Sequence, residues 1–99
     1  MTIQEWRSAT RQLRKLFPVS IPVNIRRFHS KRDFPAVTRF DGKVCLVRIN
    51  STQTDSEQVS SLLHEWAHIV VLDMFWSHGE IWGTTYAKIW DSWKVVDVT

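Results

Sequence analysis

The sequence predicts a single α+β domain in which three helices surround a small, mainly antiparallel sheet. Three observations predict it. Helix-capping patterns open three separate amphipathic runs, a run rich in branched residues follows the first of them, and an Asp-Gly pair divides two further strand-like runs. With 99 residues, 43% hydrophobic and 12% aromatic, the chain has material for one modest core, so residues 1–99 are read as one domain.

The first helix is predicted over residues 3 to 17. Thr2-Ile3-Gln4-Glu5 has the spacing of a capping box. Ile3, Trp6, Leu13, Leu16 and Phe17 then recur at helical period until Pro18 stops the run. Its opposite face carries Arg7, Arg11 and Arg14, with Lys15 beside them. Val23 to Phe28 reads as a strand interrupted by Arg26-Arg27. Ala36 to Phe40 and Lys43 to Asn50 flank Asp41-Gly42, whose residues tolerate positive φ, and so form a hairpin. Pairing Phe40 with Lys43 places Phe40, Cys45, Val47 and Ile49 on the core face.

Thr54-Asp55-Ser56-Glu57 opens a second helix near residue 55, with Val59, Leu63, Trp66, Ala67, Val70 and Met74 on one broad face. Ser77-His78-Gly79-Glu80 opens a third, carrying Trp82, Tyr86, Ile89 and Trp93 on one face and ending near Lys94. Val95 to Val98 reads as a short strand or a frayed tail.

Charge is uneven. Residues 1 to 50 hold eleven Lys/Arg against three acids, whereas residues 51 to 99 hold two against seven, so a polyanion would meet the N-terminal half. Arg7, Arg11, Arg14, Arg26 and Arg27, with Lys31 and Arg32, are the candidates to neutralise phosphates. The single Cys45 excludes an internal disulfide framework and a four-cysteine zinc ribbon, and on the hairpin's apolar face it reads as a buried small hydrophobe. Without a signal-peptide pattern or a membrane-length apolar stretch, the expectation is a cytoplasmic protein with no membrane partner.

The chemistry concentrates in His64-Glu65-Trp66-Ala67-His68, a His-Glu-x-x-His pattern in the middle of the second helix. At 100° per residue the two histidines lie about 40° apart and one turn apart in height, so both imidazoles reach one ion. Glu65, about 100° round from His64, is offset from ligation but near enough to take a proton from a water the ion activates. A catalytic zinc needs a third protein ligand from outside this helix, and the candidates are Asp73, His78 and Glu80. Asp73 lies about 180° from His64 if the helix persists that far. Glu80 is the carboxylate of the third capping box. His78 remains, on the face of Trp82 and Tyr86. For the chain to return, the second helix must end near Leu72, leaving Asp73 to Ser77 to span at most about 16 Å.

The order of helix, strands with a hairpin, His64-Glu65-Trp66-Ala67-His68, and then His78-Gly79-Glu80-Ile81-Trp82 resembles the SprT-like metallopeptidases over most of the chain. The resemblance implies a minimal zincin-like fold, one Zn²⁺ per chain on His64, His68 and His78, Glu65 as general base, and a protein or peptide substrate. Because the family includes the Spartan proteases, it also implies a possible action on DNA-associated proteins. The interval from His68 to His78 is short for the family, and the cysteine-bearing ribbon is absent. Minimal gluzincin peptidases, with Glu as third ligand, would promote Glu80 instead. A substrate strand is expected to add to the sheet edge at Lys43 to Asn50, and Tyr86 is a candidate to hydrogen-bond the oxyanion. The rival reading is a nucleic-acid-binding module with a structural or latent zinc.

Overall fold

The structure, a computed structural model, describes residues 1–71 and 79–98. Its elements run α1 (Ile3–Leu16), β1 (Val23–Phe28), β2 (Ala36–Phe40), β3 (Cys45–Asn50), α2 (Asp55–Val71) and α3 (Glu80–Val98). The α+β class stands: three helices accompany one three-stranded sheet.

Helix α1 begins as its sequence dictates. The Glu5 amide donates to Thr2 Oγ1 at 3.1 Å and the Thr2 amide donates back to the Glu5 carboxylate at 3.3 Å, satisfying two donors the helix leaves over. Trp6, Ala9 and Leu13 form its buried stripe, while Ile3 is left 49% exposed. At the far end the Phe17 amide donates to Leu13 O, and Pro18 has no amide to continue with.

The Thr54–Glu57 box of α2 is reciprocal in the same way. The Thr54 hydroxyl and amide hold the Glu57 carboxyl below its ordinary range. The Val44 and Lys43 amides do the same for Asp41. Both carboxylates titrate lower when folded, so their stabilisation is present above the ordinary carboxylate pKa near 4 and is lost as pH falls through the depressed values. Glu57→Gln is therefore expected to lower Tm at pH 6 and to converge on wild type by pH 2. Thermal melts at the two pH values check this; a gap of constant size would contradict it.

The sheet is mixed, in the order β1-β3-β2. β1 runs parallel to β3, pairing Val23 with Cys45 through to Phe28 with Asn50. β2 runs antiparallel to β3, pairing Phe40 with Cys45 and Ala36 with Ile49. Two sequence expectations change. The antiparallel pairing is one of two rather than dominant, because the chain returns from β1 through residues 29–35 and reaches β3 only after β2. The hairpin register also shifts by two residues, so β3 starts at Cys45 and not at Lys43. Asp41 Oδ1 accepts from the Lys43 and Val44 amides, both at 2.8 Å, and Gly42 takes φ 95°. This closes a loop over residues 41–44 and withdraws Lys43 from the ladder. A two-residue shift preserves side-chain parity, so Phe40, Cys45, Val47 and Ile49 keep the expected face.

Both α1 and α2 pack on that face. Cys45, Val47 and Ile49 meet Leu13, Leu62, Leu63, Trp66, Ala67 and Ile69 in one core, which Ile89 and Trp93 of α3 complete. α2 lies between the sheet and α3, so burial spreads beyond the single stripe its periodicity suggests and takes in Leu62 and Ile69. α3 continues as helix to Val98, which corrects both its expected end near Lys94 and the strand or frayed tail at Val95 to Val98.

Asn50, at the end of β3, is 2% exposed and knits the return loop. Its Nδ2 donates to Ser30 O at 2.7 Å and Phe34 O at 3.2 Å, while Oδ1 accepts from the Thr52 amide and hydroxyl. The loop leads straight into β2, so this amide helps fix the position of the strand beside the candidate site.

Candidate active site

His64, Glu65 and His68 project from the middle turns of α2. The two imidazoles stand with ring centroids 5.1 Å apart and planes at 63°. Rings that share one tetrahedral ion through nitrogens at about 2.1 Å have centroids roughly 5 Å apart, so the pair fits two positions of a zinc site. Among the described residues no group of three His, Cys, Asp or Glu side chains gathers to hold a metal. His78, Asp73, Ser77 of the third capping box and the expected helix end near Leu72 all lie outside the described residues. Glu80 opens α3 as an exposed residue.

Glu65 is 8% exposed, and a carboxylate so enclosed needs a partner. Thr38 of β2 supplies it: Thr38 Oγ1 donates to Glu65 Oε2 at 2.5 Å. Thr38 shares the inner face of β2 with Ala36 and Phe40, opposite Val47 of β3. Sequence reasoning passed over Thr38. Its signal was a hydroxyl at a core-facing position of the hairpin, two residues from Phe40, where a polar group must find a buried acceptor.

An aromatic ladder from α3 forms the opposite wall. The Trp82 ring lies 4.7 Å from His64 and 5.3 Å from His68. Tyr86, one turn on, stacks on Trp82 at 4.9 Å and stands 5.7 Å from His64. Its hydroxyl is 3.5 Å from Ser60 Oγ. Between this wall and β2 an open cavity of about 320 Å³ is lined by Ala36, Ser60, Ser61, His64, Glu65 and Tyr86, with Pro35 at its rim. Tyr86 thus shares one cavity with Glu65 and His64, as its place on α3 suggests.

The expected substrate edge needs correction. β3 is the central strand, paired on both sides, so no peptide can add to residues 43–50. The edge beside Glu65 is β2. The Asn50 amide donates to Pro35 O at 2.8 Å and the Asp41 amide to Val44 O, which makes the odd-numbered residues of β2 the ones bonded to β3. Antiparallel alternation then turns the amides and carbonyls of Ala36, Thr38 and Phe40 outward, available to an added strand.

The basic candidates are scattered. Arg14 donates to Val23 O at 2.7 Å and lies over the Trp66 ring. Arg27 donates to Met1 O at 3.2 Å and lies over Trp6. Both close the edges of the core. Arg7 and Arg11 are exposed on α1, and Arg26 is exposed on the sheet face turned away from the helices. His29, read as a surface residue, is exposed with Nδ1 3.4 Å from Ser51 Oγ. Cys45 is fully buried; burial pushes its thiol pKa up and the Asp41 carboxylate adds to the shift, so it stays protonated and unreactive.

Among the described residues no helix is long and apolar enough to cross a membrane. Comparison with protein-family models, with curated proteins and with solved structures finds no match to this chain.

Proposed function

We propose that the chain is a zinc-dependent peptidase that holds one Zn²⁺ on His64, His68 and His78 and uses Glu65 as general base. The observation that carries the reading is the placement of Glu65: on the helix that holds two imidazoles at ligand spacing, in one cavity with His64, hydrogen-bonded by Thr38 of the edge strand β2. When bound, the ion lowers the pKa of a water toward neutrality and polarises a substrate carbonyl.

The chain's own residues supply the rest. A substrate peptide pairs with the outward amides and carbonyls of Ala36, Thr38 and Phe40, which brings its backbone past Glu65. Thr38 occupies Glu65 Oε2, so the proton from the attacking water is accepted at Oε1 and later handed to the leaving amine. Tyr86 faces the same cavity and donates its hydroxyl to the developing oxyanion. The basic N-terminal half suits substrates associated with DNA, and the one buried, protonated cysteine suits the cytoplasm.

Cleavage of unfolded casein is the test. Cleavage is expected with zinc-loaded protein, to be lost on stripping the metal with a chelator, and to return on adding zinc. Undiminished cleavage by stripped protein, or none by loaded protein, would contradict the reading.

A further inference from the structure

The outer face of the sheet, opposite α1 and α2, carries a cationic surface that the proposed peptidase chemistry does not use. The registers place Asn24, Leu46 and Arg39 in one row across the three strands and Arg26, Arg48 and Val37 in the next. Beyond them Phe28 and Phe34 meet with ring centroids 5.6 Å apart, Arg48 lies 4.7 Å over Phe28, and Phe34 is 40% exposed. No carboxylate occupies either row, and among the described residues Arg26, Arg39 and Arg48 form no salt bridge. Lys31, Arg32 and the acidic Asp33 are exposed in the loop that leads into Phe34.

This arrangement is costly for stability alone. Arg26 and Arg48 are lateral neighbours in register, and like charges directly opposite destabilise a sheet. Neutralisation by a polyanion would remove that cost. The face holds only Leu46 and Val37 as apolar side chains within its two rows, too few to enter a bilayer, but it ends on the exposed Phe34 ring, packed against the Phe28 on which Arg48 lies. Phosphates track a row of guanidiniums while a base stacks on a ring in the recognition of single-stranded nucleic acid. A duplex keeps its bases stacked inside and has no use for the ring.

We infer that this outer sheet face binds single-stranded nucleic acid, with Arg26, Arg39 and Arg48 on phosphates and Phe34 under a base. The surface lies on the opposite side of the sheet from Thr38 and Glu65, so occupancy leaves the cavity open and the inference stands independently of the peptidase reading.

Fluorescence anisotropy of a labelled mixed-sequence 20-nucleotide DNA strand tests it, with the full chain titrated at several salt concentrations. Arg26→Glu/Arg39→Glu, both at exposed positions, should weaken binding at least tenfold and reduce the slope of log K against log salt by about 1.4, two phosphate contacts at about 0.7 each. Phe34→Ala should weaken binding about fivefold or more, the loss of one stacked base. Arg7→Glu/Arg11→Glu on α1 should cost about twofold or less, and Glu65→Gln should bind as wild type. Circular dichroism confirms that each variant is folded. The inference is overturned by absence of binding at 100 mM salt, by loss on reversing α1 instead of the sheet face, or by equal affinity for duplex DNA or polyglutamate with Phe34→Ala neutral.

Discussion

Glu65→Gln is expected to lower kcat for peptide cleavage by about 10²- to 10⁴-fold, the usual contribution of a positioned general base, with bound zinc, fold and KM little changed. The substitution isolates chemistry from structure. Glu65 is 8% exposed and accepts the Thr38 hydroxyl through Oε2; a glutamine accepts the same bond through its carbonyl oxygen and occupies nearly the same volume. What it cannot do is take a proton. If Glu65 were only a buried acceptor for Thr38, Glu65→Gln would be almost neutral in rate and Thr38→Val would be the damaging change. Peptide-cleavage kinetics on the two variants, with Tm as the control, separate these roles. With Glu65 as the base and Thr38 as its positioning residue, Thr38→Val leaves the carboxylate free to rotate and costs roughly tenfold in kcat, well short of losing the base.

Trp66→Ala is expected to destabilise the chain by about 3–5 kcal/mol, a large part of the roughly 5–15 kcal/mol that holds a domain together. Trp66 is 1% exposed among the core residues, donates its indole N–H to Phe17 O at 2.9 Å and lies under the Arg14 guanidinium. It ties α2 to the end of α1 and closes that side of the core. It also sits two residues from each histidine, so its anchoring turns the opposite face of α2 toward the cavity. Trp66→Phe keeps most of the buried ring and strands the Phe17 carbonyl, for an expected cost of about 1–3 kcal/mol. Urea denaturation of the three proteins measures the differences. An alanine cost below about 1 kcal/mol would mean that the core collapses around the gap and that Trp66 does not anchor the helix.

The local elements were the most legible part of the fold because their signals are local. The Thr2–Glu5 and Thr54–Glu57 boxes sit where the helices begin, and β1 and β2 have the bounds their branched and aromatic runs suggest. Strand order was not legible. Nothing in Val23–Phe28 records that it will lie parallel to β3, because that pairing depends on how residues 29–35 cross and on the Asn50 hydrogen bonds that hold them. The same non-local fact moved the open edge from β3 to β2 and turned Thr38 into the partner of Glu65. The Asp-Gly signal located the hairpin but not its register, since Asp41 spends its side chain on two amides within the loop. For the basic residues charge was legible and direction was not: Arg14 and Arg27 turn onto tryptophans of the core edge, while Arg39 and Arg48, outside the helical stripe, complete the open face.

The proposed chemistry rests on His64 and His68 holding a metal beside Glu65, and the most direct measurement is zinc content by elemental analysis of protein purified without added metal. About one zinc per chain is expected in wild type and in Glu65→Gln, and little in His64→Ala or His68→Ala, each still folded by circular dichroism. Metal-free wild-type protein that takes up no zinc on titration, or undiminished zinc in both histidine variants, would contradict it.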